Sequence, residues 1–206
     1  LELTELNTHT ERALRHLLDI YQQEQDWEKA IDIARRLEEI SGSPMHEVVA
    51  QYYCELAQKA LQDRDSTQAM NNIKRALNFD RNCARASMLL GELERAQGDC
   101  KSAIRAYRKV ADQDIEYLPE VIKPLRICYR EVGQTDAYTA FLRESLQRYD
   151  GISPILALAE EVRSRDGEQA AVDFVIEQLR RRPSVRGLQW LINQSLDHSA
   201  GDARDT

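Results

Sequence analysis

Residues 84–117 read ARASMLLGELERAQGDCKSAIRAYRKVADQDIEY. Apolar residues fall at Leu90 and Leu93, then, beyond a Gly98-Asp99 break, at Ile104, Tyr107 and Val110. Spacings of three and four on either side of a Gly-Asp break describe two amphipathic helices joined by a tight turn. Ala103 sits on the apolar face of the second helix. A residue that small is expected where two helices cross and only a methyl fits between their backbones. Working outward, the same small residue returns at Ala69, Ala137 and Ala171, each 34 positions from its neighbour in the series. Ala30 precedes Ala69 by 39, one period plus five residues.

A period of 34 is the length of the tetratricopeptide helix–turn–helix unit. Leu90-Gly91 take the Leu-Gly pair of that repeat, and Tyr107 takes the aromatic four residues after the alanine. The ladder predicts an all-α chain, a right-handed tetratricopeptide superhelix whose concave face is lined by the first helix of each pair. About five units are expected near 11–49, 50–83, 84–117, 118–151 and 152–185. An amphipathic cap over 186–199 completes a single solenoid spanning 1–206. Leu3 and Leu6 are expected to face the first complete unit, and the last six residues, GDARDT, to be frayed. The five surplus residues belong either in the Ser41-Gly42-Ser43-Pro44 connection or in a longer following helix. Pro124 lies where the repeat has Leu in its first helix. Past the first turn proline removes a backbone donor, so a kink or a late helix start is expected between Tyr117 and Leu125. Tyr52 and Tyr53 are adjacent and cannot share a face, which leaves one of them exposed.

Composition narrows the function classes. Charged residues make up 31% and aromatics 6%, and the formal net charge is −7. Non-specific nucleic-acid binding needs local excess positive charge and is not expected. The longest apolar runs are far shorter than the roughly 20 residues that span a bilayer. The chain begins at Leu1 inside a leucine-spaced helical pattern and reads as a piece of a longer protein. Cys54, Cys83, Cys100 and Cys128 form no CxxC pair, lack zinc-site spacing, and read as buried thiols. His9, His16, His46 and His198 stand apart and read as solvent-facing. No phosphate-binding glycine loop or nucleophile elbow occurs, and the carboxylates sit at helical spacing on polar faces, so no catalytic residue is expected. Trp27, Tyr107 and Phe141 occupy repeat core positions, whereas Trp190 on the cap is a candidate for contact with a partner or with further chain.

The first-helix faces carry the sharpest site expectation. Positions that line the groove of tetratricopeptide repeats map here to Arg85, Met88, Glu92 and Arg95, then to Ile122, Lys123, Arg126, Tyr129 and Arg130, and then to Arg163. An acidic chain thus gathers cations and apolar anchors on three successive first helices, a mixture suited to a peptide bearing carboxylates. The alternative is that these arginines pair with neighbouring glutamates, as Arg95 could with Glu92. Reversing both Arg126 and Arg130 to Glu is expected to abolish partner binding and leave the fold intact. The groove asparagines of the chaperone-binding carboxylate clamp have no counterpart.

Less regular strings between the ladder positions carry a resemblance. LLDIYQQEQDWEKAIDIARRL (17–37), YYCELAQ (52–58), RSRDGEQAA (163–171) and QLRRRPSVRGLQWLI (178–192) resemble the lipopolysaccharide assembly protein B family of Gram-negative bacteria. The resemblance implies a membrane helix and a rubredoxin-like metal domain elsewhere in the parent protein, with no cofactor in these residues. It also implies a cytoplasmic repeat array at the inner membrane. That array would promote degradation of the deacetylase committing precursor to lipid A, together with the membrane AAA protease FtsH. Other readings left open are a generic co-chaperone or assembly module and the repeat domain of an N-acetylglucosaminyltransferase.

Overall fold

The structure is a computed structural model that describes residues 2–202, with side chains from 9 to 195. The expectations for Leu3, Leu6, His198 and the GDARDT tail fall outside the described side chains. All elements among the described residues are helical. They run α1 (Glu2–Gln23), α2 (Trp27–Ser41), α3 (His46–Gln62), α4 (Ser66–Phe79), α5 (Ala84–Ala96) and α6 (Cys100–Gln113). A 3-10 turn at Ile115–Tyr117 leads into α7 (Leu118–Glu131), α8 (Thr135–Arg148), α9 (Ser153–Asp166), α10 (Glu168–Arg181) and α11 (Val185–Asp202). The chain divides into two compact units, Leu1–Asp114 and Ile115–Thr206.

In the first unit the hairpins α1–α2, α3–α4 and α5–α6 follow one local recipe. Each turn is three residues long, and its middle residue adopts positive φ: Gln25 at 56°, Arg64 at 60° and Gly98 at 83°. An aspartate follows and caps the second helix. Asp26, Asp65 and Asp99 accept from the backbone N–H of Lys29, Gln68 and Ser102 at 3.3, 2.9 and 3.0 Å. Each satisfies one of the donors that a helix N-terminus leaves open. Four residues beyond each cap stands a ladder alanine, and Ala30, Ala69 and Ala103 have no solvent exposure. Tyr107 packs against Gly91, where an added Cβ would lie 2.4 Å from the ring. The five surplus residues do not enlarge the connection, which at 42–45 is four residues long like the one at 80–83. One lengthens α2, which has 15 residues where α4 has 14, and four lengthen α3, which has 17 where α5 has 13.

Tyr52 and Tyr53 are both buried, contrary to the expectation that one would be exposed. They do point to different sides, but each side is covered. Tyr52 stacks on Trp27 with ring centroids 5.7 Å apart and accepts from the Gln22 amide at 2.6 Å. Tyr53 stacks on Phe79 at 5.6 Å. All four cysteines are buried and free, and the Sγ atoms of Cys54 and Cys83 lie 3.7 Å apart.

The second unit departs from the ladder at one rung. Ala171 is fully buried, but Ala137 is exposed. The buried position four residues after the turn belongs instead to Tyr138, which follows Gln134 as Ala103 follows Asp99. A phenol now stands where the other hairpins have a methyl, and α7 and α8 approach each other along far less of their length than the other hairpin partners do. The Tyr138 ring packs on Tyr129, centroids 5.7 Å apart, and its hydroxyl donates to the Ile122 carbonyl at 3.2 Å. Pro124 lies inside α7, which starts at Leu118 with Pro119 in its first turn, so the expected late start is not found. Proline at the first turn is preorganised for the helix. The helix continues past Pro124 at the loss of the one amide that would have donated to the Glu120 carbonyl. Its apolar face remains anchored by Leu118, Val121, Leu125 and Cys128, all buried. Around α9–α11 a second core gathers Ile152, Ile155, Ala159, Ala171, Val175 and Leu179, with Trp190 and Leu191 packed against it.

Candidate protein-binding faces on the first helices

In the first unit, α3 and α5 lie side by side and present the first-helix face. Arg85 reaches from the first turn of α5 to α3, donating to Glu55 at 2.6 Å and to Gln58 at 2.8 Å. Met88 and Glu92, one and two turns further along α5, line a crevice of about 400 Å³ with Gln58, Leu61 and Arg85. Desolvation against this face pushes the Glu92 carboxyl up, against the pull of Arg95. Arg95 is exposed at the end of α5. The face therefore offers an open aliphatic and thioether floor with a guanidinium at one side, already held in place by Glu55.

In the second unit, α7 and α9 are the neighbouring first helices. Arg126 donates to Glu161 at 2.5 Å, and Arg130 reaches the same oxygen at 3.5 Å and the Ser164 hydroxyl at 3.3 Å. The Glu161 carboxylate is only 7% exposed. Burying a carboxylate demands a charged partner, and the two arginines supply it. Arg163 is committed in the same way: it lies 3.1 Å from Glu160 and 2.8 Å from Glu168, donates to Gln194 at 2.7 Å, and stacks over Trp190 at 5.2 Å. Lys123 is exposed and Ile122 half-buried.

Of the residues expected in the groove, Tyr129 is corrected. It is 2% exposed, its ring packed on that of Tyr138, and it serves the core. The glutamate-pairing alternative describes Arg85, Arg126 and Arg130, with partners on adjacent first helices, and Arg163, with partners on its own helix and α10. Reversing Arg126 and Arg130 together would set two new acids against buried Glu161, so that pair does not test binding with the fold intact. The partners Glu55 and Glu161 escaped the sequence reading. Their signal is opposite charge at about one repeat's separation, 30 positions for Arg85 with Glu55 and 35 for Arg126 with Glu161. Among the described residues no group of three or more His, Cys, Asp or Glu side chains comes together as a metal-ligand set. No described helix is long and apolar enough to cross a membrane.

No protein-family model matches the chain. It is 33% identical over 187 residues to lipopolysaccharide assembly protein B of Escherichia coli K12, covering 91% of this chain and 48% of that protein. The Haemophilus influenzae protein of the same name is 32% identical over 195 residues, 95% of this chain and 48% of the relative. The chain spans about half the length of the curated relatives it matches. Among solved structures it is similar to PilF of Pseudomonas aeruginosa, with a TM-score of 0.51 at 19% identity, covering 95% of this chain and 87% of that one. That likeness bears on the helical fold alone, whereas the sequence match carries ancestry. Across nine-tenths of its length, therefore, this chain is a homologue of about half of lipopolysaccharide assembly protein B.

Proposed function

We propose that this chain is a non-catalytic protein-binding scaffold that regulates lipopolysaccharide synthesis by presenting the lipid A-committing deacetylase to the membrane AAA protease FtsH at the cytoplasmic face of the inner membrane. The observation that carries the reading is the 33% identity to lipopolysaccharide assembly protein B across 91% of the chain. Stacked helical hairpins support it, because each leaves a first-helix face available to a peptide without any catalytic group being required. The docking residues proposed are those that remain accessible: Met88, Glu92 and Arg95 in the first unit, and Ile122 and Lys123 in the second. Arg85, Arg126, Arg130 and Arg163 position these faces through their glutamate pairs and contribute whatever donors those pairs leave over.

The test is a calorimetric titration of the purified chain with the deacetylase. Binding is expected, and Arg95→Glu with Lys123→Glu is expected to weaken it at least tenfold at an unchanged melting temperature. Binding that survives the double substitution would remove the first-helix faces from the reading, and no binding by the unaltered chain would remove the deacetylase.

A further inference from the structure

A second surface lies on the other helices of the first unit. Two crevices adjoin where α2 and α4 flank α3. One, of about 340 Å³, is lined by Arg35, Tyr53, Arg75, Asn78 and Phe79. The other, of about 290 Å³, shares Arg35, Tyr53 and Arg75 and continues past Ile31 and Leu56 to Glu28 and Asp32. The Arg35 guanidinium lies 5.1 Å over the Phe79 ring, and that of Arg75 lies 5.7 Å over Tyr53. The two rings are themselves stacked.

These arginines differ from those of the first-helix faces. Among the described residues neither has a carboxylate within ion-pair distance. Each guanidinium instead lies within cation–π reach of an aromatic ring, a contact that leaves its N–H donors open to a carboxylate. An arginine already drawn toward a ring gives up less freedom when it pairs bidentately with a carboxylate. Two such forks lining one crevice form a receptor for an oxyanion. Glu28 and Asp32 at the far end disfavour a dianion such as phosphate and tolerate a single carboxylate, and Ile31 and Leu56 between them offer an apolar seat for a neighbouring side chain.

We propose that this second-helix crevice docks an acidic segment of a protein partner, one Asp or Glu carboxylate pairing with Arg35 and Arg75 while an adjacent aliphatic side chain packs toward Ile31 and Leu56. The site is separate from the first-helix faces and does not depend on the identity of the partner there. A scaffold with docking surfaces on both its first and its second helices can hold two proteins at once.

The probe is the peptide acetyl-Gly-Leu-Glu-Leu-Gly-amide, titrated into isotope-labelled chain with the arginine Nε–H resonances observed. Saturable shifts are expected at Arg35 and Arg75, with none from the Gln analogue of the peptide. Arg35→Gln with Arg75→Gln should weaken binding at least tenfold at an unchanged melting temperature, and Arg85→Gln should change it less than twofold. Shifts that do not saturate, or an equal response to the Gln analogue, would overturn the proposal. So would displacement of the peptide by inorganic phosphate at lower concentration than by free peptide, which would make this a small-anion site.

Discussion

Gln25 and Arg64 hold the backbone conformation that Gly98 and Gly133 hold in the corresponding turns. A side chain at positive φ carries a steric cost that glycine avoids, partly offset by the extra freedom glycine has when unfolded. Arg64→Gly is therefore expected to raise stability by about 0.5–1 kcal/mol, read as a higher urea midpoint. The opposite sign applies at Gly91, where the Tyr107 ring occupies the space of a Cβ. Gly91→Ala forces that ring to move and should cost about 1–3 kcal/mol in the same measurement. Asp99 adds a pH dependence. Its carboxyl accepts from the Ser102 hydroxyl and backbone N–H, and these hold it below the ordinary aspartate value of 3.8. A carboxyl depressed in the folded state contributes stability that is complete above the unfolded value and is lost as pH falls through the folded one. Urea midpoints measured from about pH 5 downward should therefore fall more steeply for the native chain than for Asp99→Asn, which keeps the acceptor and removes the charge.

At the scale of the element, the α7–α8 hairpin is where sequence and structure part. Period counting finds Ala30, Ala69, Ala103 and Ala171 correctly because an aspartate or glycine four positions earlier sets each helix start. Ala137 fits the count but not the start: α8 begins one residue later, and Tyr138 takes the crossing. A 34-residue count cannot register a one-residue slip when alanine and tyrosine are neighbours, whereas the cap residue could have. Burial of Tyr129 follows from the same slip, so the error at the rung became an error at the candidate site. Glutamate pairing was legible as an alternative, but Glu55 and Glu161 were not identified as the partners because single-helix spacing does not reveal pairs between neighbouring first helices. Two measurements probe this hairpin. Tyr138→Phe removes the bond to the Ile122 carbonyl and should cost about 1 kcal/mol without altering the helical content read by circular dichroism. Gln134 precedes α8 without a side-chain cap, so Gln134→Asp should gain about 0.5–1 kcal/mol as the other three hairpin aspartates do for their helices.

For the whole molecule, repeat architecture separates the residues that hold hairpins together from those that meet a partner. Ladder alanines, stacked tyrosines and buried Glu161 belong to the first group. In the function and docking proposed above, Arg95 and Lys123 on the first helices, with Arg35 and Arg75 on the second, belong to the other. The central claim is that the array couples a deacetylase to a protease. Its most direct test is the rate at which FtsH, reconstituted in proteoliposomes, degrades the deacetylase with and without this protein. The account predicts faster degradation in its presence, and loss of that acceleration when Arg95 and Lys123 are both replaced by Glu. A degradation rate unchanged by the intact protein would contradict it.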